Sequence, residues 1–433
     1  MNKPAQRQIY VYADWVGLAQ PTLMGVLSAT LSRGKEIFSF EYNEGWLKNP
    51  NAQVLDPSLQ LLTGTQYAPH EQKSFGLFLD SSPDRWGRVL MNRREAQLAR
   101  NEERKERRLV ESDYLLGVHD QHRMGALRFR LNQDGNFLDD NDKYASPPFA
   151  SLRALEQASL ALEKDGAEEN PAYSKWLQML IAPGGSLGGA RPKASVIDTQ
   201  QQLWIAKFPS THDGNDIGAW EMVIYELAKN AGVVIAEANL QKFNSRHHTF
   251  LSKRFDRAEK GKRIHFSSAM TLLQRSDGDD ASNGVSYLEL AEFIMRQGAR
   301  PDEDLEQLWR RIVFYICVSN VDDHLRNHGF LLEPHGWVLS PAFDINPVAH
   351  GHGLKLNISE TDNSQDLALA KEVAEYFRIK SDRAEEIIKE VVAVVKDWRK
   401  VADRIGISPA EQKRMEGANY HRSQIAYYNQ FSN

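Results

Sequence analysis

The chain has 433 residues, of which 41% are hydrophobic, so it can bury a sizeable core and has room for about two to three domains. Its formal net charge of -5 excludes a generally basic nucleic-acid-binding protein, and any contact with DNA would therefore depend on a local patch. The single cysteine, Cys317, excludes an internal disulfide, and the lack of a signal peptide or of an apolar run of membrane-spanning length predicts a cytoplasmic protein without membrane contact.

The first part of the chain has the pattern of a β-rich domain. Apolar alternation predicts strands there, at Ile9–Ala13, Met24–Leu31, Ile37–Tyr42 and Gly125–Arg130. Between them, the segment from Asp84 through Val110 is predicted to be helical, and its mixed charges favour a solvated helix face over a nucleic-acid-binding arm. We therefore predict a β-rich domain over residues 1–135, followed by a linker from Asn132 to Pro148.

A glycine-rich segment, Ala182–Ala194, lies between a predicted amphipathic helix at Ser151–Lys164 and a strand that begins near Lys193. Glycines let backbone amides approach phosphate oxygens because they carry no Cβ atom. The segment has no Gly-Lys-Ser/Thr sequence, which argues against a P-loop NTPase. A flexible turn would account for the glycines equally well if they stood alone.

Two charged residues follow the glycines in the order that protein kinases use. Lys207 lies at the end of a predicted strand, and Glu221 lies near the start of a predicted helix at Ile217–Ala231. In kinases a strand lysine holds the α and β phosphates of ATP, and a helix glutamate positions it through an ion pair. Each residue also has an ordinary explanation, as an edge-strand lysine or as an acid in the first turn of a helix.

A further strand, Thr249–Arg257, leads out of this region, and its backbone is expected to pair with adenine at a hinge. The glycine-rich segment, the strand lysine and the helix glutamate together predict a region that resembles a kinase N-lobe, over residues 150–265. The remaining residues, 266–433, are predicted to form a helical C-lobe.

The pattern of Asp322, Asn327 and Asp344 predicts a phosphoryl-transfer site. Asp322 and Asn327 follow an apolar helix on a loop, and Asp344 comes after a short predicted hairpin. In kinase-like folds the first Asp deprotonates the attacking hydroxyl, while the Asn and the second Asp hold magnesium against the phosphates. Magnesium prefers hard oxygen ligands and keeps several waters, so one amide oxygen, one carboxylate and the phosphates suffice. Taken alone, this pattern is also common by chance.

The sequence resembles the HipA family of bacterial toxin–antitoxin serine/threonine kinases. The resemblance is carried by five segments: Gly185–Ala194, Trp204–Pro209, Arg254–Arg257, Asn320–Asn327 and Ser340–Asp344. It implies an α+β, kinase-like two-lobed fold with an N-terminal β-rich extension and an all-α C-terminal lobe, and it implies ATP and Mg²⁺ as cofactors. One departure is Asp323, a second acid where the family often has a small residue; the five-residue spacing to Asn327 selects Asp322 as the base.

The resemblance also implies a role for individual residues. Asp322, Asn327 and Asp344 would be catalytic, and Asn327 and Asp344 would bind the metal. The cofactor contacts would come from Gly188, Gly189, Ala190, Arg191, Pro192, Lys193, Lys207, Glu221, Lys253, Arg254, Phe255, His324, Asn327 and Asp344. Ser186, the serine within the glycine-rich segment, would be an autophosphorylation site that inactivates the kinase.

The partners that the resemblance implies are a HipB-type helix-turn-helix antitoxin, operator DNA bound by the joint complex, and a translation-linked protein substrate such as an aminoacyl-tRNA synthetase. Two other functions remain open. A small-molecule phosphotransferase of the aminoglycoside type uses the same Asp, Asn and Asp arrangement, but the serine in the glycine-rich segment and the N-terminal domain argue against it. A non-catalytic regulator that binds DNA and a partner is disfavoured because all five kinase residues are present.

Overall fold

The computed structural model describes residues 6–138, 146–181 and 189–416. Residue contacts divide the chain into two compact units. The N-terminal unit comprises residues 1–212 and 253–267, and the C-terminal unit comprises residues 213–252 and 268–433. The division into three domains that the sequence suggests stays a prediction. Among the described helices, none has both the length and the apolar character that are needed to cross a bilayer.

The N-terminal unit begins with a β-rich half and continues with helices and a hairpin. Its elements are β1 (Gln6–Ala13), β2 (Thr22–Ser32), β3 (Lys35–Tyr42), α1 (Glu44–Leu47), β4 (Thr65–Tyr67), α2 (Gly76–Asp80), α3 (Arg85–Asn101), α4 (Glu111–Leu116), β5 (Leu127–Arg130), α5 (Leu152–Leu162), α6 (Tyr173–Ile181), β6 (Lys193–Ile197) and β7 (Leu203–Lys207). The four strands predicted for the β-rich half are therefore confirmed, within a few residues at their ends.

The first five strands form one antiparallel sheet in the order β4-β3-β2-β1-β5. Alternation explains its core, because Ile9 and Val11 of β1 and Leu27 of β2 are fully buried and point to the same face. The predicted β2–β3 hairpin is present, with Leu27 opposite Phe40. The sheet thus buries one face, as a half-solvated antiparallel sheet does.

The predicted helix from Asp84 through Val110 is shorter than expected and ends at Asn101. Glu103 adopts a φ of +51°, which a continuing helix does not allow. The chain then turns back onto α3, because the carboxylate of Glu95 accepts hydrogen bonds from the Arg104 guanidinium at 2.6 Å and from the Arg107 backbone N–H at 2.9 Å. The predicted end of the helix was wrong because a pattern of charges along the sequence does not predict that the chain turns back to contact Glu95.

The segment 253–267 is joined to the β-rich half by buried charges. Asp256 is fully buried and accepts hydrogen bonds from Arg254 at 2.5 and 2.7 Å, from Arg257 at 2.7 Å and from the Gly125 backbone N–H at 2.8 Å. Burial alone raises the pKa of Asp256, but the two guanidiniums hold it well below its ordinary value. Arg254 also donates to the carbonyl of His122 at 2.8 Å, so this cluster ties residues of distant sequence together.

The C-terminal unit is mainly helical and is built around one long buried helix. The elements from residue 217 onward, among which residues 253 and 266–267 belong to the N-terminal unit, are α7 (Ile217–Asn230), β8 (Ala238–Gln241), β9 (Thr249–Lys253), β10 (Phe266–Ser268), α8 (Ala269–Leu272), α9 (Tyr287–Gln297), α10 (Pro301–Val318), β11 (Gly329–Glu333), β12 (Gly336–Leu339), α11 (Leu367–Glu372), α12 (Ser381–Val395), α13 (Trp398–Ile405) and α14 (Pro409–Arg414). Helix α10 is buried along most of its length, including both Arg310 and Arg311. The predicted all-α lobe thus also contains the hairpin β11–β12, which the motif spacing itself predicts.

Asp304, in the first turn of α10, gives a testable pH dependence. It is 7% exposed and accepts a 3.0 Å hydrogen bond from the Leu339 N–H, and burial raises its pKa to about 6. A raised folded-state pKa means that the folded protein is favoured at low pH and loses this advantage as the pH rises through 6. We expect Asp304→Asn, which keeps an acceptor for Leu339, to stabilise the protein at pH 8 by about 1 kcal/mol more than at pH 5.

Chemical denaturation of wild type and variant at both pH values measures this difference. Asp382→Asn, on the exposed first turn of α12, is the matched control and should show no pH-dependent difference. A stability difference for Asp304→Asn that is the same at both pH values would show that the carboxyl group does not titrate in this range.

Candidate active site

The loop that carries Asp322 leaves α10 through a fixed turn. Ser319 ends the helix in the left-handed region, at φ +57° and ψ +47°. Its backbone carbonyl accepts from the Val348 N–H at 3.0 Å, and its hydroxyl donates to the Val348 carbonyl at 3.1 Å. The next amide, that of Asn320, donates to the Tyr315 carbonyl at 3.0 Å. The direction in which the loop leaves the helix is therefore set by hydrogen bonds on both sides.

The two neighbouring acids of this loop have opposite environments. Asp322 is exposed, whereas Asp323 is 1% exposed. The Oδ2 atom of Asp323 accepts from the Tyr287 hydroxyl at 2.7 Å and is 2.6 Å from His328 Nε2. A buried carboxylate with two such partners is held inside the fold. Asp322 is consequently the acid of this pair that is open to a substrate, in keeping with the choice that the spacing favours.

Asn327 is brought next to Asp322 by the turn between them. Its side-chain Nδ2 donates to the backbone carbonyl of Asp322 at 3.1 Å, and its side chain is almost fully buried. The same carbonyl accepts from the His324 N–H at 3.0 Å. Because the amide nitrogen of Asn327 is engaged, its oxygen faces away from this bond, which is the arrangement that a metal ligand needs. His324 is half-buried, and its predicted cofactor contact stays a prediction.

Asp344 lies beyond the hairpin β11–β12 in a strained conformation. Its φ is +57°, which is uncommon for a residue with a side chain and is best tolerated by Asn and Asp. The Asn346 side chain donates to Asp344 Oδ1 at 3.4 Å, and the Asn346 N–H donates to Asn320 Oδ1 at 3.2 Å. These bonds connect Asp344 with the loop of Asp322. Backbone strain of this kind is found where a functional group must point in one direction.

Asp344 and Glu221 line one small cavity of about 10 Å³. The cavity is also lined by Tyr225, Phe250 and Phe343. Glu221 is 5% exposed and lies on α7, near its N-terminus. The C-terminal unit thereby brings the predicted Glu221 and Asp344 to one place, although 123 residues separate them in the sequence.

The N-terminal unit holds the predicted lysines on one hairpin. Lys193 of β6 and Lys207 of β7 are direct partners in the antiparallel register. Like charges in such positions repel each other, and here Asp84 compensates, since its Oδ2 lies 3.0 Å from the Lys193 ammonium. Lys193 is 2% exposed, so its ammonium is enclosed in this ion pair. Its predicted contact with a cofactor stays a prediction.

Asp84 is a residue that the sequence did not single out. It is the N-cap of α3, where it accepts from the Gly87 N–H at 2.7 Å, and only this capping role is visible in the pattern Asp-Arg-Trp-Gly. Trp86, two residues after Asp84, donates its indole N–H to the Lys193 carbonyl at 3.1 Å. The start of α3 is thus fixed against the strand that follows the glycine-rich segment.

Of the glycine-rich segment, the structure describes residues from Gly189 onward, and Ser186 and Gly188 lie outside the described residues. Gly189 has a φ of +95°, and a Cβ atom there would lie 3.4 Å from the Lys193 ammonium, so a larger residue would be strained. The other predicted contacts vary in exposure: Ala190 is exposed, Arg191, Lys253 and Phe255 are half-buried, and Pro192 and Arg254 are buried. Arg254 directs its guanidinium to Asp256, and its predicted cofactor role stays a prediction.

The donor set of the C-terminal unit fits magnesium. Asn327 offers an amide oxygen and Asp344 a carboxylate, which are the hard oxygen ligands that Mg²⁺ prefers. Across residues 6–138, 146–181 and 189–416, no group of three or more His, Cys, Asp or Glu side chains is arranged to hold a metal ion.

Comparison with known proteins identifies the C-terminal part of the chain. Residues 185–398 match the model of the HipA-like C-terminal domain. A protein of Haemophilus influenzae named "Putative kinase" is 27% identical over 184 residues, which cover 38% of this chain and 53% of that protein. The chain thus matches about half the length of this curated relative.

The fold is similar to that of a solved structure over almost its full length. The structure of HipA from Shewanella oneidensis MR-1, in complex with HipB and its operator DNA, superimposes with a TM-score of 0.64. The alignment covers 97% of this chain and 96% of that one, at 16% sequence identity. The likeness confirms the predicted α+β class and the HipA-like fold.

Proposed function

We propose, because residues 185–398 match the HipA-like C-terminal domain, that this chain is an ATP-dependent serine/threonine protein kinase that acts as the toxin of a toxin–antitoxin module. The observation that carries the proposal is the geometry of the loop after α10. It exposes Asp322, holds the Asn327 side chain against the Asp322 backbone through its amide nitrogen, and is hydrogen-bonded through Asn346 to the segment of Asp344. Kinase-like phosphoryl transfer needs these three groups.

In the proposed reaction, Asp322 orients the hydroxyl of a serine or threonine and accepts its proton. The hydroxyl oxygen forms a bond to the γ-phosphorus of ATP as the bond from that phosphorus to the bridging oxygen breaks, and ADP leaves with the electron pair. Asn327 and Asp344 would hold the magnesium, which when bound supplies positive charge to the phosphates. Lys207 would hold the α and β phosphates, and the role of Glu221 in positioning it stays a prediction.

Replacing Asp344 tests the metal assignment. Asp344→Asn removes the negative charge that holds the cation but keeps a side chain that can accept from Asn346. A bound metal contributes several kcal/mol of transition-state stabilisation. We therefore expect the rate of phosphoryl transfer to fall at least about 100-fold at millimolar Mg²⁺, and part of this loss to be recovered as the Mg²⁺ concentration is raised. Initial rates over a magnesium titration measure this. An unchanged rate and an unchanged magnesium midpoint would refute the assignment.

The partners proposed for this chain are a HipB-type helix-turn-helix antitoxin and operator DNA. They are supported by the Shewanella oneidensis structure, in which HipA is bound to HipB and its operator DNA. Because the chain has a net charge of -5, we propose that DNA is contacted mainly through the complex. The proposed protein substrate is linked to translation, such as an aminoacyl-tRNA synthetase, and the proposed place of action is the cytoplasm.

We also propose self-inactivation by autophosphorylation of Ser186. A phosphate adds about -1.5 to -2 charges and three acceptor oxygens. On the serine of a glycine-rich segment that must approach the ATP phosphates, this charge would repel the nucleotide. The modified kinase would therefore bind ATP poorly and stop transferring phosphate.

A further inference from the structure

The proposed mechanism leaves Asp323 without a role, although this acid has an unusual environment. It is 1% exposed, and a carboxylate is unfavourable away from water unless hydrogen bonds compensate its lost hydration. Its Oδ2 atom has two partners, the Tyr287 hydroxyl at 2.7 Å and His328 Nε2 at 2.6 Å. Both distances are those of charge-assisted hydrogen bonds, so the three side chains form a tightly bonded cluster, which we call the loop clamp.

The members of the loop clamp come from three different elements. Tyr287 is the first residue of α9, Asp323 lies in the loop, and His328 directly precedes β11. His328 is fully buried, and its ring meets the ring of Tyr287 edge-on at 5.8 Å. The clamp therefore joins the loop both to the following strand and to a helix, and the surrounding packing prevents its members from separating easily.

The position of the clamp in the sequence gives it a consequence for the site. Asp323 directly follows Asp322, and His328 directly follows Asn327. The bond between Asp323 and His328 thus closes the short loop whose two ends are the base and the magnesium ligand of the proposed reaction. A second bond, from Asn327 Nδ2 to the Asp322 carbonyl at 3.1 Å, crosses the same loop.

We infer that Asp323, His328 and Tyr287 are positioning residues that fix Asp322 and Asn327 relative to each other, an inference that rests on the proposed function. Because all three side chains are buried, they act through their neighbours in the chain. Small displacements of reacting groups lower rates strongly, because catalysis depends on the orientation of the base and the metal ligand. The clamp also explains the acid doublet: Asp322 reacts, and Asp323 holds it in place.

The test uses conservative variants of the clamp. Asp323→Asn keeps the shape but loses the charge, His328→Gln keeps a nitrogen donor at similar length, and Tyr287→Phe removes one hydroxyl. We expect kcat to fall about 10- to 100-fold for Asp323→Asn, as is typical when the partners that orient a site's ligands are lost, with KM for ATP changed less than about twofold. Tyr287→Phe leaves the loop closed and should lose less activity than Asp323→Asn, and His328→Gln should retain more activity than His328→Ala.

A purely structural role predicts a different result. If the three residues only stabilised the fold, their variants would contain less folded protein, but kcat per nucleotide-binding site would be unchanged. The concentration of folded sites is therefore titrated with a nucleotide analogue, and each rate is divided by it. The double variant Asp323→Asn/His328→Gln adds a second criterion. Because Asp323 and His328 act through the one bond between them, the double variant should be little slower than Asp323→Asn alone, whereas independent effects would multiply.

Hydrogen exchange of the loop amides separates this inference from the proposed function. In Asp323→Asn we expect the amides of residues 322–328 to exchange at least about tenfold faster, with no such change in Asp382→Asn. A wild type that transfers no phosphate would overturn the proposed function, and the exchange measurement would still decide whether the clamp orders the loop. Unchanged exchange, or a wild-type kcat per site in Asp323→Asn, would overturn the inference while leaving the proposed function intact.

Discussion

Asp322→Asn is expected to lower kcat for phosphoryl transfer by about 10²- to 10⁴-fold, which is the usual contribution of a general base. The substitution keeps the size of the side chain but removes the group that accepts the hydroxyl proton. Because Asp322 is exposed and its backbone carbonyl, not its side chain, bonds with Asn327 and His324, the loop should keep its shape. We therefore expect nucleotide affinity to change by less than about twofold.

Steady-state kinetics together with nucleotide binding by calorimetry measure both quantities. Asp382→Asn makes the same chemical change at an exposed position on α12 and should behave as the wild type. A collapse of nucleotide affinity in Asp322→Asn would assign this residue a structural role, and a kcat within about threefold of the wild type would remove it from the mechanism.

Asp256→Ala is expected to lower the free energy of unfolding by about 3–5 kcal/mol, the usual cost of removing one partner from a buried ion pair. Arg254 is 3% exposed and Arg257 has a side-chain exposure of 7%, so both guanidiniums would stay in the interior without their carboxylate. The Gly125 N–H would lose its acceptor as well. The β-rich half and the segment 253–267 are held together by this cluster and should loosen together.

Chemical denaturation, followed by fluorescence, measures the change in unfolding free energy. The matched control is Glu292→Ala, which removes the acid of an exposed pair with Arg296 on one helix, with side-chain exposures of 53% and 73%. Such a pair contributes at most about 0.5 kcal/mol. If Asp256→Ala lost as little as this control, the cluster would not be the link between the two segments.

The predictions for Asp322, Asn327 and Asp344 depend on local spacing. Asp322 and Asn327 are five residues apart on one loop, and the turn between them brings the Asn327 side chain to 3.1 Å from the Asp322 carbonyl. Asp344 follows a hairpin whose two strands are short and continuous in sequence. The strands of the β-rich half are predictable for a similar reason, because alternation reflects a sheet with one buried face.

The contacts that the sequence could not predict join distant positions. The partner of Lys193 is Asp84, which lies 109 residues away in the sequence. Asp256, the partner of Arg254, also accepts a hydrogen bond from the backbone N–H of Gly125, which lies 131 residues away. A motif reveals that a charge is present but not which group neutralises it. The acid doublet is a related case: the spacing to Asn327 selects Asp322 as the base, but the hydrogen bond that Asp323 accepts from Tyr287, 36 residues away, is visible only in the structure.

The end of α3 shows a different difficulty. The segment after Asn101 keeps a composition that is compatible with a helix, but Glu95 binds Arg104 and the Arg107 N–H and so draws the chain back. Helix propensity differs by less than about 1 kcal/mol per residue among such side chains, and a few charged hydrogen bonds are sufficient to override it.

The central claim is that this chain transfers the γ-phosphate of ATP to a serine or threonine of a protein. The most direct measurement incubates the purified full chain with γ-labelled ATP and Mg²⁺ and maps the labelled peptides by mass spectrometry, with Asp322→Asn in parallel. We predict label on the peptide that contains Ser186 in the wild type, magnesium-dependent and absent from Asp322→Asn. A wild type that binds ATP but places no phosphate on any serine or threonine, of itself or of added cell proteins, would contradict the claim.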